Sequence, residues 1–250
     1  MIIFAPGQFN NFYTIKQYDN NTFKLTYLKR SISIFNEREI KRDINEEKLL
    51  NNISRSRTMI FDYAMTNNFD YFITLTIAKD KQDRYDLKGY IKDLGQFIRD
   101  YRKKYKVDIQ YLLVPEKHKD GAWHMHGLIK GIPEEHLEKN NNGYLEWKLY
   151  YERFGFVNLD KIKSKIKVSK YITKYISKTL NNNRGVVEKN KKLYYASRGL
   201  KVPRTIKKGC FPDNLHTEIK FDYENEYIKQ TIIDKTTLQN YFNIDSDLIE

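Results

Sequence analysis

Residues 110–126 read QYLLVPEKHKDGAWHMH and contain two β-strand patterns on either side of a short polar turn. The tripeptide Lys119-Asp120-Gly121 suits a three-residue hairpin loop. The last residue of such a loop takes a left-handed conformation, which glycine adopts without steric cost. In that register, residue 116 lies directly opposite residue 124. The sequence therefore predicts a hairpin with a fixed register at the centre of the fold.

The segments around this hairpin extend it to a split βαβ pattern. Upstream, residues 71–77 alternate in polarity like a strand, and residues 86–105 carry apolar side chains at helical spacing. Downstream, further helices and strands are predicted at 146–154, 156–162, 164–180 and 192–197. This order is typical of ferredoxin-like and RRM-like folds. We therefore predict an α+β fold in which helices pack on a central antiparallel sheet of about five strands.

The remaining sequence divides the chain into three ranges. Residues 1–66, with short strands and a helix, are predicted to form an N-terminal extension that packs on the core. Residues 67–210 contain the α+β domain. Residues 211–250 carry nine acidic and three basic side chains and are predicted to form an acidic C-terminal tail.

Composition excludes several classes of protein. Cys210 is the single cysteine, which excludes a disulfide framework and a thiolate zinc site. The longest aliphatic runs are only a few residues, too short to span a membrane. No basic segment followed by an apolar stretch opens the chain, so a secretion signal is not indicated. We expect a cytoplasmic protein with no membrane partner.

The charge of the chain points to a polyanionic partner. The formal net charge is +13 and the isoelectric point is near 9.4. Residues 161–210 alone carry sixteen Lys or Arg against the single Glu188. A solvated lysine-rich surface, or the residue bias of an AT-rich genome, would explain this charge as well. The motifs inside the segment favour nucleic acid.

Three side chains of the hairpin form a candidate metal site. His124 and His126 are two apart on a strand and therefore point to the same face. The predicted register places Glu116 opposite His124 on that face. Three protein ligands leave positions open for water and substrate, which is typical of catalytic sites. The mixed N and O set suits Mg²⁺ or Mn²⁺, although zinc, iron and nickel accept the same ligand types.

A predicted helix carries a pair of candidate nucleophiles. Tyr171 and Tyr175 are four apart and therefore share one helical face, where Lys174 and Lys178 each follow a tyrosine by three residues. A phenol of pKa about 10 needs help to attack phosphorus, and a metal and a nearby ammonium group can provide it. In a chain with 20 tyrosines the spacing alone is common, and packing explains most such pairs.

Together, these motifs resemble those of the HUH endonucleases, in particular the replication initiators of rolling-circle plasmids and small phages. Residues 72–76 (FITLT) resemble the first motif of that family, 123–127 (WHMHG) its metal motif, and 171–178 (YITKYISK) its two-tyrosine motif. They occur in the family's order and cover roughly residues 70–180. The predicted α+β domain, 67–210, is thus identified as a member of this family.

The resemblance implies a five-stranded antiparallel sheet and a specific reaction. A divalent metal, Mg²⁺ or Mn²⁺, is held by Glu116, His124 and His126. Tyr171 or Tyr175, helped by Lys174 and Lys178, attacks single-stranded origin DNA, linear or in a hairpin. The products are a 5′-phosphotyrosine and a free 3′-hydroxyl that primes synthesis, and strands are later rejoined. The resemblance does not decide which tyrosine acts first, or whether only one of them acts.

Partners and DNA-binding residues follow from the same resemblance. The sequence contains no Gly-x-x-x-x-Gly-Lys-Ser/Thr motif, so unwinding is expected to come from a host helicase that works with the host polymerase. The first motif is expected to support the metal-bearing sheet and to contact DNA. Interleaved bases and aromatics near residues 191–208 suit stacking and phosphate contacts, or are a strand followed by a basic loop. The predicted DNA-binding residues are Thr74, Thr76, Lys167, Lys170, Tyr195, Arg198, Lys201 and Arg204.

Two alternative functions stay open at the level of sequence. A relaxase or a transposase of similar fold would use the same chemistry on different DNA. A non-catalytic, RRM-like nucleic-acid-binding protein would share the sheet but would not need Glu116, His124 and His126 on one face.

Overall fold

The computed structural model describes residues 12–29, 44–182, 192–210, 218–225, 228–242 and 244, with the backbone alone for 44–50 and 177–182. The chain forms two compact units. One contains residues 43–201, and the other combines residues 1–42 with 202–250. This division differs from the three ranges predicted from the sequence.

The elements are, in chain order, β1 (Phe12–Asp19), β2 (Thr22–Leu28), α1 (Ile44–Thr66), β3 (Tyr71–Thr76), α2 (Leu87–Tyr105), β4 (Gln110–Lys117), β5 (Trp123–Lys130), a 3₁₀ turn (Glu134–His136), β6 (Leu137–Lys139), β7 (Leu145–Trp147), α3 (Lys148–Phe154), β8 (Val157–Lys161), α4 (Lys165–Asn182), β9 (Tyr195–Ala196), β10 (Arg204–Cys210), β11 (Tyr223–Glu224), β12 (Ile228–Asp234) and α5 (Lys235–Phe242). None of the helices in the described ranges is both long enough and apolar enough to cross a membrane.

The unit formed by the two ends of the chain is built on an antiparallel sheet of order β10-β1-β2-β12-β11. Alternate residues of β1 and β2, including Ile15, Phe23 and Leu25, are fully buried. Leu238 and Phe242 of α5 pack into the same core. Residues 211–250, which the sequence indicated as an acidic tail, therefore contribute two strands and a helix to a core.

The unit of residues 43–201 is built on a seven-stranded antiparallel sheet of order β6-β7-β8-β3-β5-β4-β9. Its four central strands, with α2 and α3 between them in sequence, follow the split βαβ order. The predicted α+β class is confirmed. The sheet has more than the expected five strands because residues 137–147 form the extra hairpin β6–β7.

The alternation of β3 explains why helices cover both faces of this sheet. Tyr71, Ile73 and Leu75 point into one core, where α2 and α3 pack. Successive side chains of a strand point to opposite faces, so Phe72, Thr74 and Thr76 lie on the other face. That second face is packed by α1 and α4 through a second apolar cluster. The histidines of β5 belong to this second face.

Helix α2 shows how the sequence fixes the first core. Asp86 caps the helix, and its Oδ1 accepts a hydrogen bond of 3.0 Å from the backbone N–H of Gly89. The buried side chains along the helix are Tyr90, Leu94, Ile98 and Tyr101, which follow the 3.6-residue period. The hydroxyl of Tyr90 lies 2.7 Å from that of Tyr150 in α3, so the two buried phenols satisfy each other.

Candidate metal and tyrosine site

The hairpin that carries the candidate metal ligands has the register predicted from the sequence. Glu116 pairs with His124 in the β4–β5 ladder. Gly121 at the end of the loop has a φ of +87°, and its N–H donates to the carbonyl of His118 at 2.9 Å. The prediction succeeded because it depended only on the local conformation that glycine allows.

Glu116 and His126 are in direct contact on the second face of the sheet. The Oε2 atom of Glu116 lies 2.8 Å from Nε2 of His126, and each side chain is 14% exposed. Two ligand atoms that share a cation at about 2.1 Å, at a right angle, are about 3 Å apart. The spacing of this carboxylate–imidazole pair therefore matches that of two atoms bound to one small divalent cation.

His124 extends the group along the same face. Its ring lies 4.4 Å from the ring of His118 near the hairpin turn. Burial lowers the pKa of His124, and the nearby His118 and Arg84 lower it further, so the neutral imidazole that can bind a metal is favoured. Among the residues that the structure describes, no three His, Cys, Asp or Glu side chains are already arranged around one metal position. The donor types suit a divalent cation, and the Glu116–His126 pair suits it also in distance.

Two threonines of β3 contact the imidazoles from the neighbouring strand. Thr74 pairs with His126 and Thr76 with His124 in the β3–β5 ladder. The hydroxyl of Thr74 lies 3.1 Å from Nδ1 of His126, and that of Thr76 lies 3.0 Å from Nδ1 of His124. In both rings the nitrogen that faces β3 is thus Nδ1.

Helix α4 brings the two tyrosines over the same face of the sheet. The ring of Tyr175 is stacked on that of His126, with centroids 4.0 Å apart and planes 17° apart. The hydroxyl of Tyr175 donates a hydrogen bond of 2.7 Å to the hydroxyl of Tyr171. Ile172 and Ile176 of the same helix are buried in the second core, which fixes the rotation of α4. Both phenols therefore lie on the side of the sheet that carries the imidazoles.

Phe72 holds this arrangement together. Its ring centroid is 6.3 Å from that of His126, 5.3 Å from that of Tyr171 and 6.2 Å from that of Tyr175. One aromatic side chain of β3 thus contacts the imidazole of β5 and both phenols of α4. The packing links the tyrosine helix to the hairpin.

The two tyrosines differ in environment. Tyr175 is 5% exposed, whereas Tyr171 is 45% exposed. Burial raises the pKa of the Tyr175 phenol, and its hydrogen bond with Tyr171 and the nearby Glu116 raise it further. Tyr175 therefore keeps its proton and remains a donor. Tyr171 is the phenol that a polymeric substrate can reach.

The lysines of α4 lie on its exposed side. Lys167, Lys170 and Lys174 are exposed. Lys167 and Lys174 are four residues before and three after Tyr171, so both neighbour it on the helix surface. The side chain of Lys178 is outside the described residues. The structure thus provides a basic surface beside the accessible phenol.

The other predicted DNA-binding residues are not gathered at this site. Tyr195 packs on the first core, on the opposite face of the sheet. Arg198 is exposed in a turn near Gln110, at the far end of β4 from Glu116. The backbone of Lys201 is hydrogen-bonded to the side chain of Asn67. Arg204 belongs to the other unit, where its guanidinium donates to Gln17 at 3.3 Å.

The sequence reasoning missed two features of the site: the role of Phe72 as the shared aromatic contact, and the threonine–histidine contacts. The signal for both was present in the alternation of β3, which places residues 72, 74 and 76 on one face. It could not be used, because neither the neighbour of β3 in the sheet nor the register with β5 follows from residues 71–76 alone.

Comparison with known proteins supports the same part of the chain. Residues 70–180 match the family model described as replication-associated protein ORF2. The matched segment runs from the start of β3 into α4, and so contains both the hairpin and the tyrosine helix. No curated protein and no solved structure gives a significant match. The family match supports a role in DNA replication.

Proposed function

We propose that the chain is a replication initiator that cuts single-stranded origin DNA by attack of Tyr171 on a phosphodiester. The contact chain from Glu116 through His126 and Tyr175 to Tyr171 carries this proposal. It puts an accessible phenol within two side chains of a carboxylate–imidazole pair. The match to replication-associated proteins supports the same conclusion.

The reaction is a transesterification that needs no further reactant. The Oη atom of Tyr171 forms a bond to phosphorus, and the bond from phosphorus to the 3′ oxygen breaks. The phenol loses its proton and the leaving 3′ oxygen gains one. The products are a 5′-phosphotyrosine and a 3′-hydroxyl that primes synthesis, and the reverse reaction rejoins strands. The phosphotyrosine conserves the energy of the broken bond.

Tyr175 positions the nucleophile in this proposal. Its hydroxyl donates to the oxygen of Tyr171 at 2.7 Å. A hydrogen bond to that oxygen stabilises the negative charge that develops on it as its proton leaves. Lys174, next to Tyr171 on the exposed side of α4, is suited to hold a phosphate oxygen. Lys178 is proposed to assist in the same way.

Glu116, His124 and His126 are the residues that would hold a divalent metal, Mg²⁺ or Mn²⁺. The donor set and the 2.8 Å spacing of Glu116 and His126 support this assignment. When bound there, such a cation would polarise the phosphate and stabilise the charge of the transition state. Single-stranded origin DNA and a host helicase and polymerase are the proposed partners.

The test is a cleavage assay in which the product identifies the nucleophile. Single-stranded oligonucleotides tiled across the intergenic DNA of the replicon are labelled at the 3′ end and incubated with protein and Mn²⁺. The label should become covalently bound to the protein. Trypsin cuts after Lys170, Lys174 and Lys178, so the two tyrosines end in the different tetrapeptides YITK and YISK. Mass spectrometry should find the nucleotide on YITK.

Two variants separate the roles of the phenols. Tyr171→Phe should abolish the adduct. Tyr175→Phe should retain it at a rate lowered roughly tenfold, as expected for one lost hydrogen bond to a charged group. An adduct on YISK would show that Tyr175 is the nucleophile. DNA binding without any adduct, with every metal, would favour the RRM-like binding protein instead.

A further inference from the structure

We infer that Thr74 and Thr76 are positioning residues that fix the tautomer and the orientation of His126 and His124, so that Nε2 of each imidazole is the metal-binding atom. The inference rests on the proposed function, because it assigns a task toward the proposed metal. It gives the two threonines of β3 a role within the site, in place of the DNA contact predicted from the sequence.

The geometry is the same at both positions. Each threonine is paired with its histidine across the β3–β5 ladder. The hydroxyl-to-Nδ1 distances, 3.1 Å for Thr74 and 3.0 Å for Thr76, are those of hydrogen bonds. Both threonines are half-buried. Two adjacent threonines on one face thus make the same contact with two adjacent histidines.

The chemistry of imidazole gives this contact a consequence. A neutral histidine carries one N–H, and the other ring nitrogen holds the lone pair that binds a metal. A threonine hydroxyl that accepts from Nδ1–H therefore leaves the lone pair on Nε2. In His126, Nε2 is the atom that faces the carboxylate of Glu116 at 2.8 Å. The hydroxyl of Thr74 thus favours the tautomer in which a carboxylate oxygen and an imidazole lone pair face the same position.

The choice of threonine is itself informative. A β-branched side chain is stiff about χ1, so a hydroxyl held by the strand keeps its direction. Valine has nearly the same shape and is at least as suitable for a half-buried strand position. A position that served packing alone would accept valine without loss. Thr→Val and Thr→Ser therefore separate the task of the hydroxyl from that of the shape.

The first experiment measures the affinity of the metal, not cleavage. Free Mn²⁺ is followed by electron paramagnetic resonance during titration of wild type, Thr74→Val, Thr76→Val and the matched Thr74→Ser and Thr76→Ser variants. The valine variants should bind Mn²⁺ at least about tenfold more weakly, because partners of metal-binding histidines contribute about 10- to 100-fold to affinity. The serine variants should stay within about twofold. Unfolding midpoints in EDTA should not fall in the valine variants.

The second experiment observes the tautomer directly. Long-range ¹H–¹⁵N correlation spectra of ¹⁵N-histidine protein in EDTA, at about pH 8, where imidazoles are neutral, should show a proton on Nδ1 of His124. Thr76→Val should lose this preference and Thr76→Ser should keep it. Unchanged Mn²⁺ affinity and an unchanged His124 tautomer in Thr76→Val would overturn the inference. If the wild type bound no Mn²⁺, the proposed function would lose its support, while the spectrum in EDTA would still decide this inference.

Discussion

Replacement of Gly127 by alanine tests whether β4 and β5 are as close as the proposed site requires. Gly127 follows His126 in β5 and pairs with Leu113 of β4. A Cβ atom added there would lie 2.3 Å from the carbonyl oxygen of Leu112 and 2.5 Å from a methyl group of Leu113. The methyl group could move, but the carbonyl is part of the ladder. The two strands would have to separate.

The expected loss of stability follows from that contact. Overpacking a well-packed interior costs typically about 1–3 kcal/mol. In a protein of this length, about 1 kcal/mol shifts the unfolding midpoint by roughly 2–4 °C, so Gly127→Ala should lower it by about 4–10 °C. Separation of the strands would also move Glu116 relative to His126. Mn²⁺ affinity, measured below the midpoint, should therefore fall as well.

The assay can be restricted to the unit that carries the site. The two tryptophans, Trp123 and Trp147, are both buried and both lie within residues 43–201, so their emission reports on that unit. Gly95→Ala in α2 is the matched control, because an added Cβ there meets only the end of the Arg99 side chain at 3.4 Å. Alanine in place of a helical glycine should raise the midpoint by roughly 1–4 °C.

The opposite signs of the two glycine substitutions make the reasoning refutable. A Gly127→Ala protein with the midpoint and Mn²⁺ affinity of the wild type would show that β4 and β5 do not approach each other as the structure has them. The pairing of Glu116 with His124 would then lose its basis. A fall in both Gly127→Ala and Gly95→Ala would point to a general sensitivity to alanine.

Three further predictions concern stability and DNA binding. Tyr90→Phe and Tyr150→Phe should each cost about 1–3 kcal/mol in urea unfolding, because each leaves one buried hydroxyl unpaired, and the double variant should lose less than the sum. Asn67→Ala should cost about 2–4 kcal/mol, since the buried amide makes three hydrogen bonds to the backbone, and an unchanged midpoint would contradict this. Lys167→Ala and Lys174→Ala should each lower the slope of log K against log salt for single-stranded DNA by about 0.7 in fluorescence anisotropy, whereas a slope equal to the wild type would show that these lysines do not bind phosphate.

The parts of the structure that sequence predicts well are those set by short-range chemistry. Gly121 gave the register of the hairpin, because the loop conformation depends on a few adjacent residues. Asp86 marked the start of α2 through its own side-chain hydrogen bond. The helical spacing of Tyr171 and Tyr175 placed both phenols on one side of α4, and the structure has their hydroxyls in contact.

The parts that it does not predict depend on pairing between distant segments. β1 pairs with β10, and Gln17 contacts Arg204 across a separation of 187 residues, so the unit formed by both chain ends leaves no local pattern. Tyr195 was expected beside DNA, but β9 pairs with Leu112 and Leu113, which puts its ring against the first core. Composition indicated a basic aromatic segment and said nothing about which face it would join.

The position of β5 between β3 and β4 has a consequence for how the chain can vary. Both edges of the histidine strand are already used by ladders, so a shift of β5 by one residue would turn Met125 and Gly127 toward the tyrosine helix and send both imidazoles into the opposite core. The same shift would expose the apolar residues that hold the sheet together. Misalignment of this strand therefore cannot yield a folded but inactive protein, because the interactions that fold the sheet are those that aim the imidazoles.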